Sequence, residues 1–176
     1  MTGRRSEVQE GPGFFDDDPA PDAPPVAAAL SGRRLVVEAD GGSRGNPGPA
    51  AYGALVRDAA TGETLMAEGL PIGDTTNNVA EYSGLIAGLE MARLVDPGAA
   101  VEVRMDSKLV IEQMAGRWKI KHPSMKPLAL KASGLRPPAV RWTWVPRAEN
   151  KRADALVNAA LDGAPVRRGE PLPLPS

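Results

Sequence analysis

Residues 34–49 read Arg34-Leu35-Val36-Val37-Glu38-Ala39-Asp40-Gly41-Gly42-Ser43-Arg44-Gly45-Asn46-Pro47-Gly48-Pro49. The first seven are rich in β-branched residues and predict a strand that ends on an aspartate; the nine that follow predict a turn. Ala51–Arg57 and Leu65–Leu70 predict two more strands joined through Thr61-Gly62, so the chain opens as an antiparallel meander. Then the period changes. Asn78–Val95 carries Tyr82, Leu85, Leu89 and Ala92 at helical spacing, and Pro97-Gly98 stops it. Val101–Asp106 alternates apolar and charged residues as a half-buried strand does. Helices are expected over about 107–115 and 124–133, a strand over 140–145 and a last helix over 149–161. The order βββαβααβα defines an α/β class with a mixed sheet, three antiparallel strands followed by two reached through crossovers.

This pattern occupies residues 33–163 of a 176-residue chain, which is enough for one domain with a real core. Residues 1–32 carry six acids, two bases and five prolines without a sustained period, and read as a disordered tail. Within them Phe14-Phe15 stands beside three aspartates and offers a weak docking motif. Residues 164–176 hold four more prolines and read as an extended tail or linker. There is no cysteine and one histidine, His122, so thiolate zinc sites, cysteine nucleophiles and multi-imidazole metal sites are excluded. No apolar run approaches the roughly 18 residues of a membrane helix, and the N-terminus lacks a secretory profile, so a cytoplasmic protein without membrane contact is expected. The formal charge of −1 hides an asymmetry: residues 33–103 carry five bases and ten acids, residues 104–152 twelve bases and three acids. Such a chain can hold a polyanion on one surface and divalent cations on another.

Four carboxylates stand at element ends or on apolar stripes. Asp40 and Asp106 end strands, where ligands sit in open sheets. Glu81 shares a helical stripe with Gly84, Leu85 and Gly88, and the glycines make sense if that helix presses against the sheet. Asp154 lines up with Val157 and Leu161. Taken singly, each has an ordinary explanation: Glu81 on the helix dipole, Asp106 as a helix cap, Asp154 paired with Lys151. If they converge, their repulsion needs divalent cations, and an all-oxygen donor set selects Mg²⁺ or Mn²⁺.

The blocks Asp40–Pro49, Thr75-Thr76-Asn77-Asn78-Val79-Ala80-Glu81, Met105-Asp106-Ser107 and Asn150-Lys151-Arg152-Ala153-Asp154 resemble, in order, the four signature blocks of type 1 ribonuclease H. The chain is similar in particular to the domain that actinobacteria often fuse ahead of an acid phosphatase. The resemblance covers about residues 33–161 and implies a ribonuclease H-like fold, a five-stranded mixed sheet flanked by helices. It also implies endonucleolytic cleavage of the RNA strand of an RNA–DNA hybrid, leaving 5′-phosphate and 3′-hydroxyl ends. Asp40, Glu81, Asp106 and Asp154 would be the catalytic acids holding two Mg²⁺, with Mn²⁺ able to substitute. Gly41, Ser43, Asn46 and Asn77 match positions that touch the minor groove, and Thr76 one that holds a DNA phosphate. As ordinary structure, Asn46-Pro47-Gly48 is a turn and Asn77 or Asn78 a helix cap.

Three departures from the family pattern stand out. Arg147 occupies the place of a histidine common before the last aspartate; it either steers phosphate and helps products leave, or pairs with Glu149. Lys108 replaces a glutamine and suits phosphate contact. The basic handle is shortened to residues 116–126, where Trp118 and Lys119 either pack on a nucleic-acid strand or belong to the core; His122 is expected to be structural. A monomer is expected, acting on hybrid, with double-stranded RNA left open as a second partner. The alternative is a non-catalytic module that holds hybrid or double-stranded RNA through residues 104–152.

Overall fold

A computed structural model of the chain describes residues 30–172. The expected N-terminal tail, with Phe14-Phe15, lies outside them apart from its last three residues. Five strands and four helices follow in the order β1 (Arg34–Ser43), β2 (Gly48–Asp58), β3 (Thr64–Thr75), α1 (Asn77–Val95), β4 (Ala100–Met105), α2 (Lys108–Met114), α3 (Lys126–Gly134), β5 (Ala139–Trp144) and α4 (Lys151–Leu161), with a 3-10 turn at Arg147–Glu149. The sheet order is β3-β2-β1-β4-β5; β1 to β3 are antiparallel, and β4 and β5 run parallel to β1. The element order is the one the periodicity predicts.

Two layers cover the sheet. Leu35, Val37 and Ala39 of β1 pack with Leu85, Leu89 and Met91 of α1 in the main core. Leu55 and Ala67 meet Ala153 and Leu156 of α4 in a second cluster. This is the alternation of a strand buried on both faces.

The boundaries differ from the expectation in one place that matters. Gly41, Gly42 and Ser43 are not turn but strand, paired with Tyr52, Ala51 and Ala50, so the turn shrinks to residues 44–47. The glycines serve helix packing. A side chain at Gly41 would collide with the Ala80 carbonyl of α1, and one at Gly84 with the Asp40 carbonyl. Glycine at both positions lets the first turns of α1 press against β1 beside Asp40. β3 likewise runs on past Leu70 to Thr75, as an edge strand that tolerates Pro71.

The segment read as a C-terminal tail is partly built into the domain. Gly69 and Val166 exchange backbone hydrogen bonds of 2.7 and 2.9 Å. Arg168 donates to both Glu68 oxygens, at 3.0 and 2.8 Å, and to Glu90 of α1 at 3.1 Å. Residues 164–170 therefore strap α1 to the edge of the sheet. At the other end Ser31 ties to Gly98 and Asp96, so this residue of the expected tail joins the domain.

Candidate active site

Asp40 sits near the carboxyl end of β1 and Asp106 directly after β4, on adjacent parallel strands. Glu81 comes from the first turns of α1, Asp154 from the first turn of α4. Asp40 is buried at 7% exposure; the other three are half-buried. Burial pushes the Asp40 carboxyl up to about 8, with Asp106, then Asp154 and Glu81, adding repulsion against the opposing hydrogen bond from the Gly41 N–H. Burial raises Glu81 to about 7, Asp106 adds to it, and a hydrogen bond from Ser107 works the other way. Asp106, Asp154 and Glu81 therefore all bear on Asp40, and Asp106 bears on Glu81 as well.

The ordinary explanations for single acids find other residues. Thr76 caps α1, accepting from the Val79 N–H at 3.3 Å. Ser107 caps α2, accepting from the Val110 N–H at 3.2 Å. Asp154 accepts a 3.3 Å hydrogen bond from Asn158 rather than pairing with Lys151.

A residue without an assigned role in the sequence reading organises this site. Asn150 is fully buried at the start of α4. Its Nδ2 donates to the Ala39 carbonyl at 2.9 Å and reaches Asp106 Oδ1 at 3.5 Å. It thereby links the residue before Asp40, the Asp106 carboxylate and the helix that carries Asp154. Its Oδ1 is buried without a partner among the described residues. The signal in the sequence was a polar residue heading the buried stripe Ala153, Leu156, Val157 and Ala160. Beside it, Arg152 of α4 reaches buried Glu38 of β1 at 3.3 Å, and Arg57 reaches the same carboxylate at 2.7 Å.

The expected strand-contact residues fall into two groups. Ser43 donates from its backbone N–H and its Oγ to Asn77 Oδ1, at 2.9 and 3.0 Å, while Asn46 Oδ1 accepts from the Asn77 N–H at 3.1 Å. With Gly41 and Thr76 these residues form one cluster at the start of α1, continuous with Glu81. Asn77 thus ties the helix to the β1–β2 turn and does not cap it. Trp118 and Lys119 stand elsewhere, lining a groove of about 540 Å³ with Leu109, Arg117, Lys121 and His122. Trp118 is 44% exposed and is not a core residue. His122 is exposed and bound to Ser124, apart from the acids. Lys108 is exposed, with its ammonium 5.5 Å from the Trp144 ring centroid. Arg147 is exposed in the 3-10 turn; the expected partner Glu149 faces Arg104 instead, at 3.6 Å.

The donor set suits a hard divalent cation: four carboxylates, no nitrogen or sulfur, and a buried Asp40 whose charge burial and three acids oppose. Among the described residues no three of these acids stand in a finished metal-ligating cage. Glu81, Asp106 and Asp154 nevertheless all raise the Asp40 carboxyl, so their charges bear on the same buried group.

Fold and acid cluster together define a ribonuclease H-like domain. Residues 38–160 match the family model described as "Reverse transcriptase-like". The chain is 54% identical over 134 residues to "Bifunctional protein Rv2228c" of Mycobacterium tuberculosis, covering 74% of this chain and 36% of that one. The N-terminal RNase H domain of that relative, solved as a fusion protein, superposes with a TM-score of 0.71 and 52% identity over 75% of this chain and 96% of that one. This chain is 46% identical over 136 residues to "Ribonuclease HI" of Halobacterium salinarum, covering 76% of this chain and 67% of that one. LC11-RNase H1, solved in complex with an RNA/DNA hybrid, superposes with a TM-score of 0.70 and 43% identity over 74% and 98%. The chain belongs to the ribonuclease H family. It spans about a third of the length of Rv2228c.

Proposed function

We propose that this chain is an endoribonuclease that hydrolyses the RNA strand of RNA–DNA hybrids, leaving 5′-phosphate and 3′-hydroxyl ends. The observation that carries the reading is the crowding of Glu81, Asp106 and Asp154 on buried Asp40. Relatives named ribonuclease H, one of them solved with a hybrid, support the substrate.

Asp40, Glu81, Asp106 and Asp154 would hold two divalent cations, Mg²⁺ or Mn²⁺. When bound, such ions supply an activated water and neutralise the charge on the leaving oxygen of an in-line displacement. The chain's own part is positional. Asn150 keeps Asp106 in line with β1. Gly41, Ser43, Asn46 and Asn77 present backbone and amide groups to the minor groove, where contact with the 2′-hydroxyl distinguishes RNA from DNA. Thr76 takes a phosphate of the DNA strand. Lys108 meets a phosphate, Trp118 and Lys119 follow the strands farther out, and Arg147 steers phosphate, since a guanidinium stays charged and cannot shuttle a proton.

Among the described residues no helix is long and apolar enough to cross a membrane. We read the protein as a cytoplasmic monomer, with double-stranded RNA as a secondary substrate. The test is incubation of labelled hybrid, double-stranded RNA and double-stranded DNA with Mg²⁺, Mn²⁺ or EDTA. Cleavage of the RNA strand of the hybrid, lost in EDTA, is expected. Hybrid binding without cleavage would instead identify a non-catalytic module.

A further inference from the structure

Val140, Trp142 and Trp144 alternate along edge strand β5 and so share one face of the sheet. The first two pack against the main core. Trp144 continues the stripe past the covered part and stands 46% exposed. Its register partner on β4 is Met105, so it lies beside Asp106. The ring is held by its edge: Nε1–H donates to the Asp106 backbone carbonyl at 3.2 Å. The exposed Lys108 ammonium lies 5.5 Å from the ring centroid. A tryptophan this open, anchored next to a candidate catalytic acid and with the Lys108 ammonium over its ring, offers a half-exposed aromatic surface to a ligand. Aromatic faces take nucleic-acid bases by stacking, and a neighbouring ammonium complements the phosphate.

We propose that Trp144 and Lys108 form a platform for one nucleotide of the RNA strand beside the bond that is cut, the indole stacking on its base or sugar and Lys108 meeting its phosphate. The inference rests on the hybrid-nuclease reading above and extends it to a residue outside the signature blocks. The indole has two separable attributes. Its face would bind the strand; its N–H holds the Asp106 backbone. Trp144→Phe keeps a face and loses the N–H, whereas Trp144→Ala loses both.

The test is steady-state cleavage of labelled hybrid by the full chain and its variants. Trp144→Ala should raise KM about ten-fold, the effect of losing one stacked base, while Trp144→Phe stays within about two-fold of wild type. Lys108→Gln should flatten the salt dependence of hybrid affinity by about one unit of slope. An unchanged KM in Trp144→Ala overturns the platform. So does a Trp144→Phe variant as impaired as Trp144→Ala, because the N–H would then be what matters. Should Trp144→Ala lose its melting transition, Trp144→Leu replaces it, with apolar volume but no π face and the same expected rise in KM.

Fluorescence anisotropy of labelled hybrid on Asp106→Asn, with and without Trp144→Ala, separates this idea from the nuclease reading. If the wild type cuts no hybrid, the nuclease reading fails, and binding alone decides the platform. An affinity weakened about ten-fold by Trp144→Ala supports it, and equal affinity overturns it.

Discussion

Three carboxylates in this sheet are almost equally buried, and their surroundings could hardly differ more. Glu38 and Glu68 are 3% and 6% exposed, Asp40 7%. Glu38 lies between the guanidinium groups of Arg57 and Arg152. Glu68 accepts from Tyr52 and from two nitrogens of Arg168. Burial pushes Glu68 up, but those hydrogen bonds and the Arg168 charge outweigh it and hold the carboxyl below its usual range. Asp40 has the opposite company: burial, then three more acids, carry it to about 8. Equal burial therefore says little about a carboxylate's task; its partners decide. Glu38 in the middle of β1 and Glu68 on edge strand β3 are matched by arginines, while Asp40, two residues farther along β1, faces acids instead. Strongly perturbed carboxyls gathered on one buried group mark a candidate site of chemistry.

The largest expected effect breaks the acid side of the comparison. Asp106→Asn should lower hybrid cleavage roughly a thousand-fold or more, as removal of a principal catalytic group does. Its melting temperature should hold or rise, since a repelling charge is gone. Wild-type turnover in that variant would remove the four-acid mechanism.

Next comes the arginine side. Arg168→Ala leaves Glu68 buried without its cation, and should lower stability by about 2 kcal/mol in urea unfolding, discounted for the partial exposure of Arg168. Cleavage per folded molecule should stay unchanged. A fall in activity at constant stability would show that the strap reaches the site.

Asn150→Ala touches both themes, since Asn150 joins β1 and Asp106 to α4. Stability should fall by about 1–2 kcal/mol, and kcat about ten-fold with KM for hybrid little changed. A rise in KM with kcat intact would make Asn150 a binding residue instead.

A smaller effect appears without any mutation. Asp40 and Glu81 have folded values of about 8 and 7 against ordinary values of 3.8 and 4.5. Between those limits the folded chain binds more protons than the unfolded one, so stability is greatest at the acid end and falls as pH rises toward 8. Melting in EDTA should show a temperature that declines between pH 5 and pH 8. A flat or rising profile would mean that the acids do not crowd.

Much of this was legible in the sequence. The change of period from two to 3.6 at α1 fixed the order of elements, because both patterns are local. The acids were legible as a set through their blocks, and Gly84 and Gly88 foretold the close approach of α1. The extension of β1 through Gly41 and Gly42 was not: glycines needed for a helix contact look, in sequence, like glycines needed for a turn. The strap at 164–170 was hidden because Arg168 gains meaning only beside Glu68 and Glu90, each far away along the chain. Trp144 was passed over because alternation gives its face but not where the covering helices end.

The central claim, that four acids share one cation-binding pocket, is tested most directly by calorimetric titration of Mn²⁺ into metal-stripped protein at pH 7, in two buffers of different ionisation enthalpy. Metal binding at groups that hold protons must release them. The account predicts proton release on binding by the wild type, and loss of both binding and release in Asp40→Asn. Mn²⁺ binding without proton release, undiminished in Asp40→Asn, would contradict it.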